Sequence, residues 1–135
     1  MNYIEEYYRQ IKSGKIVVGR WVKAIYKYIV TGLKKGRFFY DEKKATKAVD
    51  FVERFCHHSE GRSDRLTLEL WQKAALAAIF AIVDEKGLRV FREVFMVVAR
   101  KNGKTLFASA IMERMELYFH GHMDAVAYLK RIQAI

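Results

Sequence analysis

The chain has 135 residues, 52% hydrophobic and 14% aromatic, so it is long and apolar enough to bury one core and is not a disordered tail. A formal net charge of +10 favours a polyanion such as nucleic acid or an anionic surface, while no apolar run approaches the ~20 residues of a membrane helix. The one cysteine, Cys56, excludes an internal disulfide and suits a reducing, intracellular setting, and the N-terminal MNYIEEYYRQIK, with an acidic pair and no apolar centre, is not a signal peptide.

Tyr3 to Ile11 reads as a short helix, with Asn2 as its cap and Glu5 where a capping-box acid stands. Ser13-Gly14 breaks it. Arg20 to Ile29 places Trp21, Val22, Ile25, Tyr28 and Ile29 at helical spacing, which predicts an inward stripe with Lys23 and Lys27 opposite. Gly32 and Gly36 then mark a loop. From Arg9 to Arg37 there is no Asp or Glu, while Arg9, Lys12, Lys15, Arg20, Lys23, Lys27, Lys34, Lys35 and Arg37 are basic. Rings are interleaved with these cations, a pattern with two readings: a grip on DNA or RNA, or a solvated helix face with its rings in the core.

Asp41 is placed to cap a third helix whose inward residues are Ala45, Ala48, Val49, Val52 and Phe55. The polar segment Ser59 to Asp64 is a loop. Thr67 is placed to cap a fourth helix, with Leu68, Trp71, Ala75, Leu76, Ile79, Phe80 and Val83 inward and Gly87 after its end. Cys56, His57, His58, His120 and His122 match no paired zinc spacing and read as a buried cysteine and surface histidines. Ile79 to Glu85 has the order of a Walker B motif, an apolar run of five residues and then two acids. Its apolar spacing continues the Trp71 helix, which places Asp84 and Glu85 in solvent at the helix end.

The segment VFMVVARKNGKTLFASA, Val94 to Ala110, carries the most chemistry. Val94 to Val98 is a short β-branched run, the signature of a buried strand. A polar loop follows, ending Gly103-Lys104-Thr105, and then a helix from Leu106 to about Phe119 with small residues at Ala108, Ser109 and Ala110. Strand, loop and helix in this order form a phosphate loop, in which backbone N–H groups cradle phosphate, a lysine reaches the β/γ-phosphates and a Thr hydroxyl holds Mg²⁺. Val98 stands where the usual pattern has its first glycine. The competing reading is a basic strand-to-helix turn with no ligand. Ala125 to Leu129 reads as a second strand. The expected fold is therefore α/β of the P-loop NTPase type, incomplete, with a helical N-terminal part over 1–66 and the start of a P-loop core, with one or two strands, over 67–135.

Taken together, FYDEKKATKAVDFVERFCHHSEG, LTLELWQKAALAAIFAIVDEKGLRVFREVF and VVARKNGKTLFASAI resemble the N-terminal ATPase region of a tailed-phage terminase large subunit, over roughly Ile16 to Met112. Three features carry the likeness: the deviant loop ARKNGKT, the aromatic-Gln pair Trp71-Gln72, and the linking phrase G-x-R-x-F-R at Gly87, Arg89, Phe91 and Arg92. The resemblance implies an ATP-driven motor for packaging viral DNA, with ATP and Mg²⁺ as cofactors. It implies phosphate binding by Ala99, Arg100, Lys101, Asn102, Gly103, Lys104 and Thr105, with Thr105 on Mg²⁺ and Arg100 and Lys104 acting on the transferring phosphoryl group. It implies adenine recognition by Gln72 with Trp71 packed beside it, although helical spacing alone reads Trp71 equally well as core. The implied partners are double-stranded viral DNA, a portal and a small terminase subunit, in the cytoplasm of a bacterial host, with no membrane. The family's Walker B strand and nuclease domain have no counterpart in the sequence, which predicts a truncated chain that binds nucleotide without turning it over. A DNA-binding module without ATP chemistry, or an inactive prophage remnant, is the alternative.

Overall fold

The computed structural model describes residues 2–55, 68–95 and 111. The chain divides into two units, Met1–Val49 with Leu68–Phe95, and Asp50–Thr67 with Met96–Ile135. The first unit holds nearly all of the described residues. Its elements are α1 (Tyr3–Lys12), α2 (Arg20–Lys34), β1 (Phe39–Tyr40), the start of α3 (Glu42–Phe55), α4 (Leu70–Phe80) and β2 (Ile82–Val83).

α1 forms where the sequence predicts it. The Asn2 side chain accepts from the backbone N–H groups of Ile4 and Glu5, both at 3.1 Å. Glu5 and Glu6 sit in the first turn and Lys12 in the last, matching the helix dipole. Glu6 accepts from Gln10 and pairs with Arg9, and these partners, Gln10 first, hold its carboxyl below the usual value. Ile4, Tyr7 and Ile11 form the buried stripe.

α2 departs from expectation in length and in face. It runs to Lys34, so Gly32 lies inside the helix, and it buries Tyr26, Ile29, Val30 and Gly32. Trp21, Val22, Ile25 and Tyr28 are exposed, at 74%, 37%, 44% and 49%. The reason is that apolar residues extend around two sides of this helix, and periodicity cannot say which side meets a neighbour. Tyr26 meets Tyr7 of α1 edge-on, ring centroids 5.0 Å apart, and that contact selects the side. The helix ends in a Schellman motif: Arg37 N–H donates to the Gly32 carbonyl at 3.0 Å and Gly36 N–H to that of Leu33 at 3.3 Å. Gly36, at φ +72°, supplies the left-handed residue this motif requires.

The chain then turns Phe38 back onto α2. Its ring lies against Gly32, 6.0 Å from Tyr28 and 6.2 Å from Phe91. β1 follows and pairs antiparallel with β2, Phe39 opposite Val83 and Tyr40 opposite Ile82. Asp41 caps α3 as expected, its Oδ1 accepting from Lys44 N–H at 3.1 Å, and its own N–H donates to the Ala81 carbonyl. Ala45, Ala48, Val49 and Val52 are buried, as their spacing predicts.

α4 starts at Leu70 behind an N-cap at Glu69; Thr67, the expected cap, lies outside the described residues. Ala74 and Ala77 are fully buried, and their small side chains let α1 pack closely on α4. The helix stops at Phe80. Ile82 and Val83 leave it for the sheet, where the apolar spacing predicted continued helix. The core of the unit joins Ile4, Tyr7, Ile11, Tyr26, Ile29, Val30, Phe38, Ala45, Ala74, Ala77, Ala81 and Ile82.

The described architecture is thus helical with a small two-stranded antiparallel sheet, a mixed arrangement compatible with α/β. The strands expected at Val94–Val98 and Ala125–Leu129 have a different standing. Val94 and Phe95 are exposed and belong to neither helix nor strand. Met96–Val98 and the second segment lie outside the described residues, as do Phe55's side chain, Cys56 and all four histidines.

Two core tyrosines and the half-buried Tyr40 make the unit sensitive to base. Burial raises the Tyr7 and Tyr26 hydroxyls above 10.0 and pushes Tyr40 up to about 12. Above pH 10 the unfolded chain therefore sheds phenolic protons that the folded chain retains, so stability is intact below pH 10 and falls as pH rises beyond it. Unfolding by circular dichroism and tyrosinate absorbance are expected to rise together above that pH. Early, reversible ionisation of all the tyrosines with the fold intact would contradict this.

Candidate nucleotide site

The adenine motif expected from sequence lies at the first turn of α4. Glu69 organises it. Its N–H donates to Gln72 Oε1 at 2.9 Å, and its carboxylate accepts the Gln72 backbone N–H, a reciprocal capping box. The same carboxylate accepts from Trp71 Nε1 at 2.6 Å. One residue thus fixes both members of the pair. With Oε1 engaged, the Gln72 amide keeps its Nε2 hydrogens as donors. Those donors match the ring-nitrogen acceptors of adenine. Trp71 and Gln72 are half-buried, and Trp71 packs against the edge of the core. Lys73 lies over the Tyr3 ring of α1, 5.8 Å from its centre. Glu69 was not singled out from sequence, although E-L-W-Q has the spacing of a capping box.

The linking phrase is a hairpin. Asp84 Oδ1 accepts from the N–H groups of Lys86 and Leu88 at 2.8 and 3.0 Å, and Asp84 N–H donates to the Leu88 carbonyl at 2.8 Å. Gly87 turns at φ +77°, and Lys44 Nζ donates to its carbonyl. Val83 bridges Arg89, whose guanidinium stands 5.8 Å from the Phe80 ring centre. Phe91 packs on Phe38, and Arg92 is exposed. Asp84 is therefore a turn anchor, half-buried and occupied by backbone donors. This corrects its placement in solvent at a helix end; Glu85 is exposed as expected.

Ala99, Arg100, Lys101, Asn102, Gly103, Lys104 and Thr105 lie outside the described residues. Among the described residues no group of three His, Cys, Asp or Glu side chains could hold a metal, and no helix is long and apolar enough to cross a membrane. The cations expected to face a polyanion, Lys12, Lys15, Arg20, Lys23, Lys27, Lys34, Lys35 and Arg37, are all exposed.

Residues 70–134 match the family model of the terminase large subunit, ATPase domain. Over this segment the chain is similar to the terminase large subunit family. The match begins at the first residue of α4, so it takes in Trp71-Gln72, the hairpin and the Gly103-Lys104-Thr105 sequence together. No curated protein and no solved structure matches the chain. The likeness is to an ATPase domain of DNA-packaging motors, and domains of that family use a nucleotide with a divalent cation.

Proposed function

We propose that this terminase-like segment binds ATP with Mg²⁺. Gln72 donates its Nε2 hydrogens to the adenine edge and Trp71 flanks the base. Backbone N–H groups of Ala99 to Gly103 surround the phosphates, Lys104 contacts the β/γ-phosphates and Thr105 carries Mg²⁺. Arg100 offsets charge on the γ-phosphate. The helical part over 1–66 precedes a P-loop core that begins at 67. The bound nucleotide serves the handling of double-stranded viral DNA in the host cytoplasm, with a portal and a small terminase subunit as partners. The observation that carries this reading is that one family match covers both the capped Gln72 and the loop. Saturable, Mg²⁺-dependent binding of a slowly hydrolysed ATP analogue by calorimetry supports it, and no binding by a folded sample ends it.

The capping box gives a cleaner test of Gln72 than truncation does. Gln72→Glu keeps an oxygen for the Glu69 N–H and adds a negative charge at the helix N-terminus, so stability is expected to stay within about 0.5 kcal/mol. The variant lacks the Nε2 donors, and analogue affinity is expected to fall roughly tenfold. Gln72→Ala is expected to lose both binding and about 1 kcal/mol of stability. Unchanged affinity in Gln72→Glu would remove Gln72 from the site.

A further inference from the structure

Glu69 holds Trp71 and Gln72 through different groups. Its carboxylate accepts from Trp71 Nε1 at 2.6 Å and from the Gln72 backbone N–H, while its own backbone N–H donates to Gln72 Oε1 at 2.9 Å. The last of these bonds fixes more than a helix start. A backbone N–H donates and never accepts, so the amide oxygen of Gln72 faces it and the amide nitrogen faces away. A flipped amide would set Nε2 against that N–H, donor against donor. The backbone of residue 69 therefore sets the order of acceptor and donor along the Gln72 amide.

We infer that Glu69 is a positioning residue for base choice, its backbone N–H holding the Gln72 amide in the order that fits adenine and rejects guanine. The inference rests on the nucleotide reading above, with Gln72 at the base. A carbonyl oxygen has a second lone pair beyond the one Glu69 engages, and Nε2 has two hydrogens. Acceptor and donor side by side pair with the N6 hydrogen and the neighbouring N7 of adenine. Guanine has O6 in place of that amine, so the same pose sets O6 against Oε1, acceptor against acceptor. A free amide would turn Nε2 toward O6 and recover a hydrogen bond. One held by Glu69 does so only by leaving the Glu69 N–H unpaired, which costs free energy once a base covers it. Trp71 takes no part in the choice, because every base offers a face to an aromatic ring.

The test is titration calorimetry of the whole chain with Mg²⁺ and slowly hydrolysed analogues of ATP and GTP. The unaltered chain is expected to bind the ATP analogue about tenfold more tightly than the GTP analogue. Glu69→Pro removes the N–H, and the proline φ of about −65° suits the −75° at this position. Glu69→Ala removes the carboxylate and keeps the N–H. Glu69→Ala is expected to weaken both analogues alike and to keep the tenfold preference, whereas Glu69→Pro is expected to shrink it to about threefold or less. A role in helix stability alone would leave the ratio of the two affinities unchanged in both variants. An ester in place of the Leu68–Glu69 amide removes the same hydrogen and keeps the carboxylate; it is expected to match Glu69→Pro and replaces it if circular dichroism shows that variant unfolded. Equal binding of the two analogues by the unaltered chain, or a tenfold preference that survives loss of the N–H, overturns the inference and leaves the nucleotide reading standing. Binding of neither analogue by the folded, unaltered chain overturns both.

Discussion

Lys104→Ala is expected to weaken binding of a slowly hydrolysed ATP analogue with Mg²⁺ by roughly a hundredfold, the loss of about 3 kcal/mol that a hydrogen bond to a charged group can supply. The loss is specific to position. A chain of net charge +10 attracts any polyanion weakly, and that attraction fades with salt whichever lysine is removed. A phosphate-loop lysine acts as a point charge seated between β- and γ-phosphates, so Lys104→Arg is expected to restore little, because a planar guanidinium does not fit the same seat. Titration calorimetry at two salt concentrations separates the cases. An analogue bound equally by the unaltered chain and by Lys104→Ala would make GKT a basic turn between two elements.

Gly32→Ala is expected to destabilise the fold by about 2 kcal/mol, against the sign that helix propensity gives. Alanine in a solvated helix interior gains close to 1 kcal/mol over glycine. At Gly32 a Cβ would overlap Phe38 Cζ and lie 2.7 and 2.9 Å from the two Cε atoms of the ring. That ring is buried between Tyr28 and Phe91, so it cannot swing clear without disturbing the link between α2 and the hairpin. Urea unfolding of Gly32→Ala, Phe38→Leu and the double variant checks the mechanism. The double variant is expected to lose less than the two single losses added, since a branched chain at 38 relieves the overlap. A stabilised Gly32→Ala would mean that the ring moves freely.

The capped helix starts were legible because their signals are local. Asn2 and Asp41 do what their side chains predict, and the small or β-branched stripe of α3 falls inward. The face of α2 was not legible, because Tyr26 and Tyr28 are equally apolar in sequence and only the α1 contact chooses between them. Gly32 looked like a loop residue because its reason to exist, the Phe38 ring, arrives after the helix has ended. The two strands escaped notice for a related reason. Phe39-Tyr40 and Ile82-Val83 are too short to show a period, and each becomes a strand only beside the other. Asp84 was misplaced because its partners are backbone groups of a turn, which carry no sequence identity. Trp71-Gln72 stood out as a pair, yet Glu69 holds both. Lys104, Thr105 and the rest of the loop were read from pattern and family likeness, and the terminase match supports that family at the same residues.

Packing of α1 on α4 joins stretches roughly sixty residues apart in the chain. During synthesis Ile4, Tyr7 and Ile11 leave the ribosome well before Ala74 and Ala77 exist to cover them. At a translation rate of about 5–20 residues per second, that interval lasts several seconds. α1 and α2 can meet through Tyr7 and Tyr26 in that time, but one side of α1 waits in water for its match. Closing so large a loop is slow relative to local helix formation, so the arrival of α4 sets the pace at which this unit becomes native. A nascent chain stalled before Leu70 would therefore present that uncovered stripe to whatever holds unfinished proteins in the cell.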